Sequence, residues 1–170
     1  MSLERVDEAI AVCWGAVEEL KESRKKESGE RDNEPPEPPI ELSNYLTGYL
    51  LTLIYATFET ELRSIAKKRL CNTQDEKIAF YVSKKLERQF NGRIRIENLE
   101  EFLNCCEKGC GKKFKEKLDK ETSDGFESLV GDRHALAHTG SLKLTLDDLI
   151  GYYKRGKGVL DAFSEAINGV

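Results

Sequence analysis

Residues 42–70 read LSNYLTGYLLTLIYATFETELRSIAKKRL, and the spacing of their apolar side chains decides the fold. Leu46, Leu50, Leu53, Ile54, Phe58, Leu62 and Ile65 recur at intervals of three and four, the period of one helix face. The stripe is wide, so this helix is expected at the centre of the structure, touched by neighbours on several sides.

Working outward, the same period governs the flanks. Towards the N-terminus, Val6, Ile10, Cys13, Trp14, Val17 and Leu20 define a first helix that Ser2 can cap and that runs to about Lys26. Between the two lies a polar, proline-rich stretch at about 28–41, SGERDNEPPEPPIE, read as an exposed semi-extended connector within one domain. Towards the C-terminus, a third helix over about Asp75 to Phe90 stops at Asn91-Gly92. Asn98 with Glu101 signals a fourth start, followed by Leu99, Phe102, Leu103 and Cys106. Asp124 reads as the cap of a short helix through Phe126, Leu129 and Val130 that ends at Gly140. Thr145 with Asp148 opens a last helix from about Leu146 to Ile167. No period-two stretch is long enough for a strand. The expectation is an all-α, single up-down bundle of five or six helices.

Composition narrows the function classes. The chain has 170 residues, 39% of them hydrophobic and 34% charged, with a net charge of −4. Such a surface does not bind nucleic acid indiscriminately, so RNA contact requires a local basic patch. The most apolar run, Tyr49 to Phe58, is too short to cross a membrane. The first residues show no basic region followed by an apolar one, and the five cysteines (Cys13, Cys71, Cys105, Cys106, Cys110) form no disulfide framework. Reduced thiols and a cytoplasmic location are therefore expected, with no membrane partner.

The chemistry concentrates in residues 129–140, LVGDRHALAHTG, which contain both histidines of the protein. His134 and His138 are four apart and share a helix face, which Glu127 and Gly131 extend backwards. Arg133 falls on the apolar stripe instead. An inward guanidinium cannot lose its proton and is expected to find an anion or several acceptors. Arg133 and His138 lie five apart, about 140° around an ideal helix. They converge only if His138 sits in an unwinding last turn or if a second copy of the helix packs alongside. An Arg fork with imidazoles suits phosphodiester cleavage in RNA, which carries its own 2′-hydroxyl nucleophile. By itself this spacing is more often that of a salt-bridged arginine and a histidine at a helix C-terminus.

These residues resemble a known family. An Arg, a polar residue and a His four to six positions beyond the Arg form the motif of the HEPN superfamily, met here as Arg133, His134 and His138. LVGDRHALAHTG resembles the branch whose motif reads Leu-Val-x-x-Arg-Asn-x-Ile-Ala-His-Gly. LTLDDLIGYYKRGKGVLDAF is similar to that branch's last helix, LTLIYATFETELRSI to its second, and FNGRIRIENLEEFL also looks familiar. The resemblance implies a helical, homodimeric, metal-independent endoribonuclease with Arg133 and His138 catalytic. It puts His134 in the polar position and Glu59 where an acidic residue supports the arginine. It also implies a toxin–antitoxin, anti-phage or RNA-processing setting, hence RNA and a cognate antitoxin protein as partners. Members paired with a nucleotidyltransferase antitoxin carry a tyrosine two residues after the His; Gly140 stands there in this chain. Some members are non-catalytic dimerisation modules or bind a protein or nucleotide, and this is the alternative reading.

Two further groups are candidates for RNA contact. Lys112 and Lys113 belong to a stretch, KGCGKKFKEKLDK, with six lysines against two acids. Tyr152, Lys154 and Arg155 combine an aromatic ring with cations that can grip single-stranded RNA. Both also read as ordinary solvated helix faces. Cys105, Cys106 and Cys110 with the histidines match no zinc-site spacing, so neither metal nor cofactor is expected. Gly151, Gly156 and Gly158 in the last helix signal a bend or a close contact.

Overall fold

The computed structural model describes residues 2–27, 40–140 and 142–169, with side-chain surroundings for all of these except 24–27, 40 and 41. The proline-rich connector falls almost wholly outside the described residues. Among those described, eight helices form and no strand does: α1 (Leu3–Glu27), α2 (Ile40–Leu70), α3 (Glu76–Gln89), α4 (Ile96–Cys106), α5 (Cys110–Lys117), α6 (Lys120–Thr139), α7 (Leu146–Gly156) and α8 (Gly158–Asn168). The all-α expectation holds, but the count exceeds five or six for two local reasons. The lysine-rich stretch forms α5 after Gly109 turns the chain in the left-handed region at φ 92°. The last helix breaks at Lys157 into α7 and α8. Two starts also move: α4 begins at Ile96 rather than after Asn98, and α6 begins after Asp119, whose side chain accepts the Thr122 N–H at 2.7 Å.

α2 is the axis of the fold and packs against α1, α3, α6, α7 and α8. Leu50, Ile54, Phe58 and Leu62 of the expected stripe are fully buried, as is Leu51 beside them. The buried hydroxyls of Thr47 and Thr57 donate to the carbonyls of Ser43 and Leu53, each at 2.8 Å, so α2 carries them into the core with their hydrogen bonds satisfied. Two aromatic nodes lock the helices. Phe58 meets Phe126 of α6 edge-on at 5.3 Å and Tyr153 of α7 at 6.3 Å. Phe163 of α8 gathers Phe90, Phe102 and Phe114 at 6.0 to 6.2 Å. Each such pair adds about 0.5–1.5 kcal/mol to simple burial.

α6 and α7 form the closest helix pair and run antiparallel: Gly125 faces Arg155 and Gly156, while Asp132 feels the charge of Asp148 seven residues further on. Of the three glycines expected to mark a bend or a contact, Gly156 and Gly158 do both. A methyl group on Gly156 would come within 3.0 Å of the Phe126 backbone, and one on Gly158 within 3.2 Å of Thr122. Backbone therefore touches backbone where α7 gives way to α8.

Gly151, in contrast, has only the mobile end of Arg155 near it, at 3.7 Å. Gly156→Val is expected to lower stability by about 1–3 kcal/mol through overpacking, whereas Gly151→Ala raises it by about 1 kcal/mol through helix propensity. Urea denaturation of the two variants measures this difference, and equal effects would contradict the close approach.

Candidate functional site

α6 brings Arg133, His134 and His138 to the end of the bundle where α2 begins. The two helices run antiparallel, with Leu136 against Gly48 and Phe126 against Phe58. Between these two contacts the Arg133 guanidinium lies over the Tyr55 ring, its Cζ 4.7 Å from the centroid. Arg133 is half-buried, and among the described residues no carboxylate pairs with it. The inward placement expected from the stripe is met by an aromatic face rather than by an anion. A ring attracts the cation but takes none of its five N–H donors in the plane, so these stay available for an external anion.

Asp132, next in the chain, turns to α7 instead. Burial, reinforced by the Asp148 carboxylate, raises its pKa above the ordinary carboxylate value. Glu59 does not pair with Arg133 either. Its Oε1 accepts the Gly92 N–H at 2.6 Å and ties the turn after α3 to α2. Glu59 and Arg133 nevertheless share Tyr55 as a neighbour. Burial and then Glu59 push the Tyr55 phenol up, and the positive charges of Arg133 and Arg95 oppose them.

The two imidazoles stand side by side, with ring centroids 4.4 Å apart and planes at 63°, both exposed to solvent. The last turn of α6 does not unwind under them. The helix continues through Thr139, whose hydroxyl donates to the Ala135 carbonyl at 2.8 Å, and Gly140 closes it in the left-handed region with its N–H on Leu136 O at 2.9 Å. Gly131, on the same face as the histidines, has open space where a Cβ would point. Beyond Gly140 an open groove of about 700 Å³ runs between α6 and α2, lined by Tyr45, Tyr49, Thr52, Leu136 and Leu142. Tyr45 and Tyr49 are exposed, at 76% and 56% of full accessibility.

The sequence matches the family model described as RiboL-PSP-HEPN over residues 17–169, nearly the whole chain. This chain belongs to the RiboL-PSP-HEPN family. No curated protein and no solved structure gives a match to it. The helical architecture of this HEPN domain is the one its sequence resemblance implied.

The other expected contact residues of the HEPN domain lie apart from this end. Arg155 covers the Tyr152 ring at 5.4 Å, and both sit level with Gly125, eight residues before Arg133, or about 12 Å along α6. Lys154 lines a groove between α1 and α7 with Asp7, Trp14 and Asp147. α5 packs on α4 and α8. Of its lysines, Lys112 pairs with Glu116 at 3.5 Å, Lys115 with Glu100 at 3.1 Å and Lys117 with Glu165, while Lys113 is exposed. Neither group joins Arg133 within the chain.

The thiols also lie elsewhere. Cys13 and Cys110 are buried, but Cys105 and Cys106 are exposed at the end of α4. Although Cys106 reaches the surface, partial desolvation by the chain around it, with the neighbouring thiols, raises it to about 11 and disfavours its thiolate. Among the described residues no group of His, Cys, Asp and Glu is placed to hold a metal ion, and no helix is long and apolar enough to cross a membrane.

The sequence reading did not single out Tyr55 or Arg95. Tyr55 hid within an apolar stripe. Arg95 belongs to Arg93-Ile94-Arg95, whose central residue is fully buried while its neighbours are exposed. Alternation over three residues is too brief to stand out.

Because its partner is a ring and not a buried carboxylate, Arg133→Ala is expected to cost only about 1 kcal/mol of stability, the scale of a partly exposed cation–π contact. Urea denaturation checks it; a loss above about 3 kcal/mol would reveal a buried ion pair instead.

Proposed function

We propose that this HEPN domain is a metal-independent endoribonuclease acting at a composite site made by two copies of α6. The observation that carries the reading is Arg133: half-buried, stacked on Tyr55, without a carboxylate partner, and one residue from a pair of exposed imidazoles. A guanidinium held in this way stabilises negative charge building on phosphoryl oxygens. The 2′-hydroxyl of the RNA attacks the adjacent phosphorus. One imidazole takes its proton, and another, already protonated, gives one to the departing 5′-oxygen as the P–O bond breaks. The products are a 2′,3′-cyclic phosphate and a 5′-hydroxyl.

The regular helix through Thr139 supports the composite site. Five residues apart on an intact helix, Arg133 and His138 point about 140° away from each other, so one copy does not aim both at one phosphate. A second α6 laid across the bare face at Gly131 restores the convergence. The uncovered Tyr45 and Tyr49 beside the groove give that partner an apolar seat. A toxin or phage-defence component, restrained by a cognate antitoxin protein, is the setting this reading suggests.

Two outcomes are expected. Purified protein cleaves single-stranded RNA in EDTA, leaving cyclic phosphate ends, and His138→Ala stops the cleavage while circular dichroism stays unchanged. Equal cutting by both proteins removes the enzymatic reading, and RNA binding without cutting leaves a binding module. Tyr49→Glu, which puts a charge on the uncovered face, is expected to yield monomers by analytical ultracentrifugation and to lose cleavage with them.

A further inference from the structure

A second arginine, Arg95, is held against α6 from outside that helix. Arg95 ends the connection between α3 and α4, and three contacts fix its position. Ile94, just before it, is fully buried and anchors the segment. Glu59 holds the preceding turn through the Gly92 N–H. Glu127 of α6 accepts the Ile96 N–H at 2.7 Å with one carboxylate oxygen and reaches Arg95 Nη1 at 3.5 Å with the other.

Glu127 lies on the face of α6 that continues through Gly131 to His134 and His138. The side chains of that face run from Arg95 and Glu127 at one end to the imidazoles at the other, with open space at Gly131 between them. Arg95 is half-exposed, and its contact with Glu127 involves one nitrogen of the guanidinium, so further donors face solvent. Arg133 lies over the Tyr55 ring, and the charge of Arg95 also acts on the Tyr55 phenol from further off.

We propose that Arg95 is a substrate-binding residue that grips a backbone phosphate flanking the cleaved linkage, with Glu127 as its positioning residue. The inference rests on the ribonuclease reading and extends it. Glu127 and Arg133 are six residues apart, about 9 Å along the helix and about 120° around it, so Arg95 reaches a neighbouring phosphate and Arg133 the reacting one. A single strand that runs past Tyr55 along the α2 side of α6, from Arg133 towards the turn that Glu59 holds, meets both. Arg95 thus contributes to binding and not to the chemical step.

The test uses the full chain and a fluorescein-labelled mixed-sequence oligoribonucleotide. Arg95→Ala is expected to raise KM roughly ten-fold, the loss of one charge-assisted phosphate contact, with kcat nearly unchanged. In a His138→Ala background, where strand is bound but not cut, the same change is expected to reduce the slope of log affinity against log salt by about 0.7. Arg95→Lys keeps the charge and is expected to restore that slope. Arg95 is on the surface, so thermal melting of the variants is expected to match the parent. A wild type that cleaves RNA alongside an Arg95→Ala protein with unchanged KM and salt slope overturns the assignment of Arg95 alone. A wild type that neither cleaves nor binds RNA overturns the ribonuclease reading and this assignment with it.

Discussion

The antiparallel seating of α6 on α2 is the constraint from which the other features of the site follow. It is fixed at one end by the edge contact of Phe126 with Phe58 and at the other by Leu136 lying against Gly48. Between these two points the Arg133 side chain lies across Tyr55. α7 holds α6 in place from the other side, backbone against backbone at Gly125 and Gly156. Such contacts leave little play, so the guanidinium is held by packing rather than by an ion pair.

That distinction matters for an anion site. A guanidinium clamped by a carboxylate is already neutralised, and a phosphate must compete for it. One clamped by a ring keeps its charge and its donors, and the apolar surroundings strengthen whatever it meets. Glu59, the expected carboxylate partner, is engaged elsewhere, on the Gly92 N–H, and so holds a loop without quenching Arg133. The protein carries a net charge of −4, and many of its lysines are offset by nearby acids, as along α5. An exposed cationic surface is therefore not what would draw a nucleic acid here. In the proposed reading that role falls to the donors that Arg133 and Arg95 leave uncommitted.

Much of this was legible in the chain. The three-and-four spacing of residues 42–70 specified a central helix, because such a stripe is buried only when neighbours surround it; Leu50, Ile54, Phe58 and Leu62 are where it put them. Asp119 was missed as a cap because Asp124, five residues on, presented the same signal. The extra helices were missed because α5 is only eight residues long and the α7–α8 break turns on one residue, Lys157. Local propensity does not register breaks so brief.

The sequence by itself determined the helical class, the family, and the adjacency of two imidazoles, since residues four apart on a helix meet whatever surrounds them. It also required that an arginine on an apolar stripe find some compensation. Only the tertiary structure decided what kind. Tyr55 and Arg133 are 78 positions apart, as are Arg95 and Glu127 by 32, and no local period links them. Their meeting depends on how α2, α6 and the α3–α4 connection stack, which many side chains settle together through packing that no single stretch encodes.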